Sequence, residues 1–289
     1  MGLAFVAAAA AFSVLVSIVL KWMPRRGIDA AQAITWNYLS AGALSLLLLD
    51  PPFDALRAPD TPWAALLLLA IVLPSLFLVL AASVRRAGIV RTDAAQRLSL
   101  LLSLLAAFTF LGESAGVQKL AGLALGLIAV AAIVARPDPQ AARGDAAWLP
   151  LLTVWVGFAL VDVVLKLIAR AGTPFAASLL VAFTFAFLGM LALQVVRHAR
   201  GRAPLRWKNL VAGLALGALN FGNIVCYVRA HRALPDSPAV VFASMNIGVV
   251  VLGTLAGVAL FGEPTSRWNR LGIALAILAI ALIALAPGK

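Results

Sequence analysis

The chain of 289 residues repeats itself at a spacing of about 145 residues, and this repeat constrains the fold more than any other feature. Matching positions keep the same order in both halves, and the spacing grows to about 150 after an expansion around Pro235–Pro238. Such collinear self-similarity indicates a duplicated unit. The matching pairs are Lys21/Lys166, Gly27/Gly172, Trp63/Trp207, Val84-Arg85/Val228-Arg229, Gly112-Glu113/Gly262-Glu263 and Gly122/Gly272.

Each half contains five apolar stretches that are long enough to cross a bilayer. Hydrophobic residues make up 63% of the chain and charged residues only 12%, whereas soluble domains are about half apolar and a quarter charged. A spanning helix needs about 20 mostly apolar residues, so lipid must be the solvent for most of this chain. The predicted spans are Gly2–Trp22, Ala31–Leu49, Trp63–Val84, Thr92–Leu111, Gly116–Ala135, Ala147–Ile168, Pro174–Val196, Leu210–Val228, Ala239–Phe261 and Trp268–Ala286.

The odd number of spans in each half sets the relative orientation of the two halves. After five spans the chain emerges on the opposite side, so the second copy enters the membrane upside down relative to the first. We therefore predict an all-α membrane protein whose ten transmembrane helices form two inverted-topology five-helix repeats. The repeats are 1–136 and 146–289, joined by a linker, 137–145, that is rich in proline and charge. Secondary transporters use this architecture, with the substrate site at the repeat interface near the midplane.

Composition and motifs exclude several other classes of protein. The net charge is +12, but the basic residues lie in short clusters between apolar runs, which fits membrane loops and argues against nucleic acid as a partner. The single cysteine, Cys226, excludes an internal disulfide and a cysteine metal cluster. There is no G-x-x-x-x-G-K-[ST] loop for ATP and no H-E-x-x-H or G-x-S-x-G motif for catalysis. We predict no cofactor, no metal site and no catalytic residue.

Each half ends its fourth predicted helix on a Leu/Phe-Gly-Glu signature, FLGES at 110–114 and LFGEP at 260–264. Further characteristic stretches are TWNYLSA at 35–41, AAQRLSLLLSLLAAFTFLGE at 94–113, LNFGNIVCYVRAHRAL at 219–234 and MNIGVVVLGTLAGVALFGE at 245–263. Over its whole length the chain thereby resembles EamA-type members of the drug/metabolite transporter superfamily. The resemblance implies a ten-helix exporter or exchanger with a central cavity lined by helices 1, 3, 4, 6, 8 and 9, helix 2 being peripheral. The fourth helix lacks the proline often found after its Leu-Ser in that family.

Two arguments about orientation disagree. Loops after odd-numbered helices hold more than twice as many Lys and Arg residues as the other side, which places both termini outside the cytoplasm. The family resemblance implies cytoplasmic termini. The sequence leaves both orientations open.

An acid–base pair on the sixth helix is a candidate for substrate or proton binding. Asp162 lies within the span and Lys166 follows one turn later on the same face. Ionisable residues inside membranes indicate function by default, so the pair could bind a zwitterion or exchange a proton. The alternative is a structural ion pair whose lysine reaches the interface. Lys21 occupies the symmetric place on the first helix, where Ser17 replaces the acid.

A polar stripe on the eighth helix is a second candidate. Asn220, Asn223 and Tyr227 recur at i, i+3 and i+7, so they share one helix face. The stripe could hydrogen-bond a substrate, or it could join helices, at about 1 kcal/mol per bond. The same alternatives apply to the remaining cavity candidates, which are Ser244, Asn246, Gln96, Arg97 and, as an aromatic surface for stacking, Trp155.

Glu113 and Glu263 carry the family signature, and we predict a structural role for both. Each follows a glycine at a helix end and precedes a residue that can cap the next helix, Ser114 in one case and Thr265 or Ser266 in the other. A carboxylate is stabilised near a helix N-terminus by the helix dipole.

These observations predict a secondary transporter, an exporter or exchanger of a small polar metabolite such as an amino acid. Multidrug or lipophilic-cation efflux and lipid-precursor flipping are the alternatives within the superfamily. An intramembrane enzyme and a non-transporting scaffold are the alternatives from other classes. We expect a monomeric, multi-pass protein of the bacterial inner membrane, whose partners are a small-molecule substrate, the bilayer and a coupling proton or other ion.

Overall fold

The computed structural model describes residues 1–110, 116–134, 148–236 and 238–285, and this part of the chain has no strands. It forms ten α-helices, with short 3-10 turns at Pro24–Arg26 and Phe53–Leu56. Glu113 and the predicted linker, 137–145, lie outside the described residues. The helices are α1 (Gly2–Trp22), α2 (Ala30–Leu49), α3 (Trp63–Ala87), α4 (Ile89–Phe110), α5 (Val117–Val134), α6 (Trp148–Arg170), α7 (Phe175–Ala199), α8 (Trp207–Ala233), α9 (Pro238–Phe261) and α10 (Arg267–Ala284).

The predicted spans agree with these helices to within about one turn, except at the end of α8. That helix ends at Ala233 rather than Val228. The apolar run stops at the basic residues Arg229 and Arg232, but the helical hydrogen bonds continue to Leu234, whose N–H bonds to the carbonyl of Ala230. Charge ends a hydrophobic run without ending a helix.

Asp29 stabilises the start of α2 and also joins it to α7. Its carboxylate accepts a hydrogen bond from the N–H of Gln32 at 2.9 Å, which is an N-cap. Arg197 of α7 donates to the same carboxylate at 2.8 Å. Partial burial raises the pKa of Asp29, but the hydrogen bonds from Arg197 and from the backbone outweigh it, so the pKa lies below 3.8.

Six helices of the described chain are long and apolar enough to cross a membrane, namely α1, α3, α6, α7, α8 and, over Val240–Phe261, α9. Charge limits the apolar length of α4, which carries Arg91, Asp93 and Arg97 in its first turns. The structure therefore supports a multi-pass membrane protein, and the count of ten spans stays a prediction.

Several helix contacts between the two halves come in equivalent pairs, in which corresponding helices of the two halves change places. α1 packs on α8 and α9, while α6, its counterpart in the second half, packs on α3 and α4. α2 packs on α7, α4 on α9 and α5 on α10, each joining two corresponding helices. The closest packing is between the halves rather than within them, so the space at their interface is where a site shared by both would lie.

Glycines let several of these helices approach closely. A Cβ on Gly217 of α8 would lie 2.5 Å from the backbone oxygen of Asn37 on α2, and Gly213, one turn earlier, contacts the backbone oxygen of Ala33. Gly253 of α9 lies equally close to the Asp93 side chain of α4. Small residues four apart thus serve as helix contacts here, as in other membrane bundles.

Candidate functional site

A cavity of about 260 Å³ lies between helices of the two halves. Its described lining comes from α1 to α4 in the first half and from α6 to α8 in the second, and most of it is apolar or aromatic. The polar lining residues are Ser13, Ser17, Tyr38, Gln96, Arg97, Asn220 and Asn223.

The lining differs from the one that the family resemblance implied. Tyr38 of α2 lines the cavity, as do Phe175, Leu179 and Phe183 of α7, so helix 2 is not peripheral. No residue of α9 is part of the described lining. Instead α9 reaches the site through Asn246, which contacts a lining residue of α4.

Arg97 of α4 is the one charged side chain in the described lining. Its Nη2 donates to the hydroxyl of Ser13 at 2.6 Å and its Nη1 to the Asn246 side-chain oxygen at 3.5 Å. Its Nε is buried and has no hydrogen-bond partner in the described structure. Arg97 thus links α1, α4 and α9, and its Nε–H has no acceptor in the described part of the protein. Three further groups interact with its charge, Asp93, Asp162 and Tyr227.

The predicted amide residues Gln96, Asn220 and Asn223 all line the cavity. Tyr227, the third member of the α8 stripe, lies outside the described lining. Its ring packs edge-on against His231, with 4.6 Å between centroids. The stripe therefore faces the cavity over its first turn and packs against protein beyond it.

Neither Asp162 nor Lys166 belongs to the described cavity lining. Val161 and Leu165 of α6 line the cavity, whereas Asp162 is turned towards α4, beside Ser103. Asp162 also interacts with the charges of Arg97 and Lys166. The two members of the pair do interact, and their role in substrate or proton binding stays a prediction.

Two further candidates lie away from the described lining. Trp155 of α6 donates its Nε1–H to the backbone oxygen of Leu98 at 2.8 Å, which fixes α6 against α4. Ser244 of α9 is half-buried in the bundle.

Lys21 also lies away from the lining, in an ion pair that we call the Lys21–Glu263 clasp. The Glu263 Oε1 accepts hydrogen bonds from Lys21 Nζ and from the N–H of Ile89 at 2.7 Å, while Oε2 accepts one from the N–H of Val90 at 3.0 Å. The carboxylate therefore caps the N-terminus of α4, a helix of the other half.

Gly88 provides the space for this cap. Its φ is +89°, and a Cβ there would lie 2.6 Å from a Glu263 oxygen, so a side chain would displace the carboxylate. Ser266, rather than Glu263, caps α10 by accepting from the N–H of Asn269. Glu263 thus lies at a helix N-terminus, but not at that of the helix that follows it.

The structure adds a buried acid that the sequence reasoning did not single out. Asp93 of α4 is 2% exposed and accepts a hydrogen bond from the hydroxyl of Ser17 at 2.8 Å. It precedes Arg97 by four residues, the same acid-before-base spacing that drew attention to Asp162 and Lys166. Applying that criterion to the fourth helix would have found it. Among the described residues, no group of three or more His, Cys, Asp or Glu side chains is placed to hold a metal ion.

Comparison with known proteins identifies the family. The family model described as "EamA-like transporter family" matches residues 1–135. A protein of Haemophilus influenzae described as "Uncharacterized protein" is 37% identical over 274 residues, covering 93% of each chain. A solved crystal structure matches with a TM-score of 0.52 and 17% identity over 95% of each chain, a likeness that concerns the fold alone. The chain belongs to the EamA-like transporter family, within the drug/metabolite transporter superfamily.

Proposed function

We propose that the protein is a secondary transporter that moves a small polar metabolite, such as an amino acid, by alternating access between two inverted five-helix repeats. The observation that carries this proposal is the cavity, because both halves of the chain contribute polar side chains to it. The repeats would be residues 1–136 and 146–289, with 137–145 as the linker.

The pattern of helix packing supports the alternating-access part of the proposal. The main contacts between the halves have counterparts in which the roles of the halves are exchanged, such as α1 on α8 with α6 on α3, and α1 on α9 with α6 on α4. If the copies are inverted, equivalent contacts lie at the two ends of the cavity. Rocking one half against the other would then form the contacts at one end and break those at the other, so that the cavity opens to alternate sides. Transport by this chain would be export or exchange, driven by a substrate or ion gradient, in a monomer of the bacterial inner membrane. Asp162 is the candidate for a coupling proton.

The chemistry of the cavity favours this reading over the alternatives within the superfamily. A lipophilic cation would meet Arg97, a like charge, in a cavity whose described lining has no acidic side chain. A lipid precursor would have to fit into about 260 Å³, which is just below the usual volume of ligand sites, about 300–1,000 Å³.

The proposal is tested by counterflow in proteoliposomes made with the purified full chain. Vesicles loaded with unlabelled L-leucine or L-phenylalanine should accumulate the same labelled amino acid transiently, and protein-free vesicles should not. Asn223→Ala should reduce the initial rate, whereas Arg57→Gln, whose side chain is 82% exposed in a loop, should not. Accumulation that is equal with and without protein for a broad panel of small polar metabolites would contradict the proposal.

A further inference from the structure

We infer that the cavity recognises a small carboxylate with an apolar body through Arg97, and that an α-amino group contributes little to its binding. This inference rests on the proposed function, because it names the chemical class that the same cavity would carry.

The charge of the described lining points to an anion. Arg97 is its single charged group, and Gln96, Asn220 and Asn223 add amide N–H donors nearby. A guanidinium is a rigid fork of donors that matches the two oxygens of a carboxylate. A Lys or an amide at this position would offer no such match.

Arg97 also has a donor to spare. Its Nη atoms bond to Ser13 and Asn246, the latter at a long 3.5 Å, while its Nε–H is buried without a partner. A buried donor without an acceptor is costly. A carboxylate bound at this side of the guanidinium would give the Nε–H an acceptor.

The two acids near Arg97 are not placed to bind an ammonium group in the cavity. Asp93 accepts from Ser17 and packs against Gly253 of α9, and Asp162 is turned towards Ser103 on α4. Neither belongs to the described lining. Besides Arg97, a substrate amine in the cavity would therefore meet only neutral amide and hydroxyl groups.

The remaining wall of the cavity suits an apolar body of limited size. Phe77, Phe158 and Phe183 line it together with leucine side chains of α3 and α7. Burying apolar ligand surface against such a wall supplies the affinity, while the polar contacts fix the orientation. Branched-chain and phenyl-substituted short acids combine these two features.

The test compares ligands that differ by one group, using the thermal stability of the purified full chain in detergent. The leucine series is L-leucine, 4-methylpentanoate without the amine, and L-leucinamide and isopentylamine without the carboxylate. The phenyl series is L-phenylalanine, 3-phenylpropanoate, L-phenylalaninamide and phenethylamine. We expect both kinds of acid to raise the melting temperature saturably at concentrations up to about 10 mM, and the amides and amines to leave it unchanged.

Variants at position 97 locate the effect. Arg97→Gln should weaken binding of the acids by at least about tenfold, and Arg97→Lys, which keeps the charge but not the fork, should retain part of it. Arg57→Gln is the control. If Arg97→Gln does not fold, the ligand series with the unmodified protein and Arg97→Lys decides the question.

The outcomes separate this inference from the proposed function. Amides or amines that bind as well as the acids, or acids that do not bind at all, would overturn the inference. Counterflow of amides or amines without acids would do so while the transporter proposal stands. Binding of acids through Arg97 without counterflow of any of them would support the inference and contradict the proposed function.

Discussion

Replacing Glu263 by alanine tests whether the Lys21–Glu263 clasp stabilises the fold. The substitution removes three hydrogen bonds at once, two from the N-terminus of α4 and one from Lys21. It also leaves the Lys21 ammonium, whose side chain is only 14% exposed, without its counter-charge. Because the two partners come from opposite halves of the chain, the loss affects the packing of α1, α4 and α9 together.

The expected cost follows from these two parts. Loss of an N-cap costs about 0.5–2 kcal/mol. Removing one partner of a buried ion pair costs about 3–5 kcal/mol, mostly because the other charge stays buried. Lys21 is partly exposed and lies over the Phe261 ring at 4.7 Å, a favourable cation–π contact that remains. We therefore expect a total near the lower end of the summed range, about 3.5 kcal/mol, which for a chain of this size lowers the melting temperature by roughly 7 °C.

The assay is thermal unfolding of the detergent-purified variant, combined with transport per folded molecule. Lys21→Met in the Glu263→Ala background should recover the part of the loss that comes from the unpaired cation. Asp54→Ala, which removes one partner of an ion pair on the surface with the Asp54 side chain 96% exposed, is the control and should change stability by less than about 0.5 kcal/mol. A Glu263→Ala protein that melts like the unmodified one but has lost transport would refute the structural role.

Three further perturbations have defined outcomes. Gly217→Ala should destabilise the protein by about 1–3 kcal/mol, because the new Cβ meets the backbone of α2. The matched control is Gly189→Ala, which should be neutral or stabilising because no atom lies within 4 Å of its Cβ. Equal melting temperatures for the two variants would contradict this prediction. The pKa of Asp29 is depressed, so its stabilisation is present above pH 3.8 and should be lost as the pH falls through the lower folded-state pKa. In that acid range the free energy of unfolding of Asp29→Asn should depend less on pH than that of the unmodified protein. The same pH dependence for both proteins would argue against the pairing of Asp29 with Arg197. Asp162→Asn should abolish the pH dependence of transport without preventing assembly, and a variant whose transport has the same pH profile as the unmodified protein would end the proton-coupling hypothesis.

The positions of the helices were predictable because a bilayer imposes a length on each apolar run. α1 was predicted at its observed bounds, Gly2–Trp22, and the other helices mostly to within a turn. This reasoning is less reliable for α4. Asp93 lowers the mean hydropathy of that helix, although its side chain is buried against other helices and does not face lipid. A hydropathy profile does not record which neighbouring helix covers a polar face, so the number of spans is harder to establish than the number of helices.

The candidate site was predictable only in part, because helix rotation in the bundle decides which side of each helix faces the cavity. The amide residues of α8 and of the start of α4 line the cavity, in keeping with the rule that polar residues in lipid must face protein or water, and their role in binding stays a prediction. The contact between Lys21 and Glu263 joins residues 242 positions apart, and nothing in either local sequence indicates it. Trp155 was a candidate for stacking substrate, but the hydrogen bond of its indole N–H to Leu98 belongs to helix packing.

The two halves provide a symmetric frame for a site that is not symmetric. At the 150-residue spacing of the second part of the repeat, Gln96 corresponds to Asn246, so both fourth helices offer an amide at this position. Arg97, however, corresponds to Ile247, and Asp93 also has no acidic counterpart. If the halves exchange conformations during transport, the helix arrangement around the cavity is similar in the two states, whereas the charge of Arg97 stays on α4. A carboxylate would then keep its contact with α4 throughout the cycle, and it would be the apolar wall that rearranges around it.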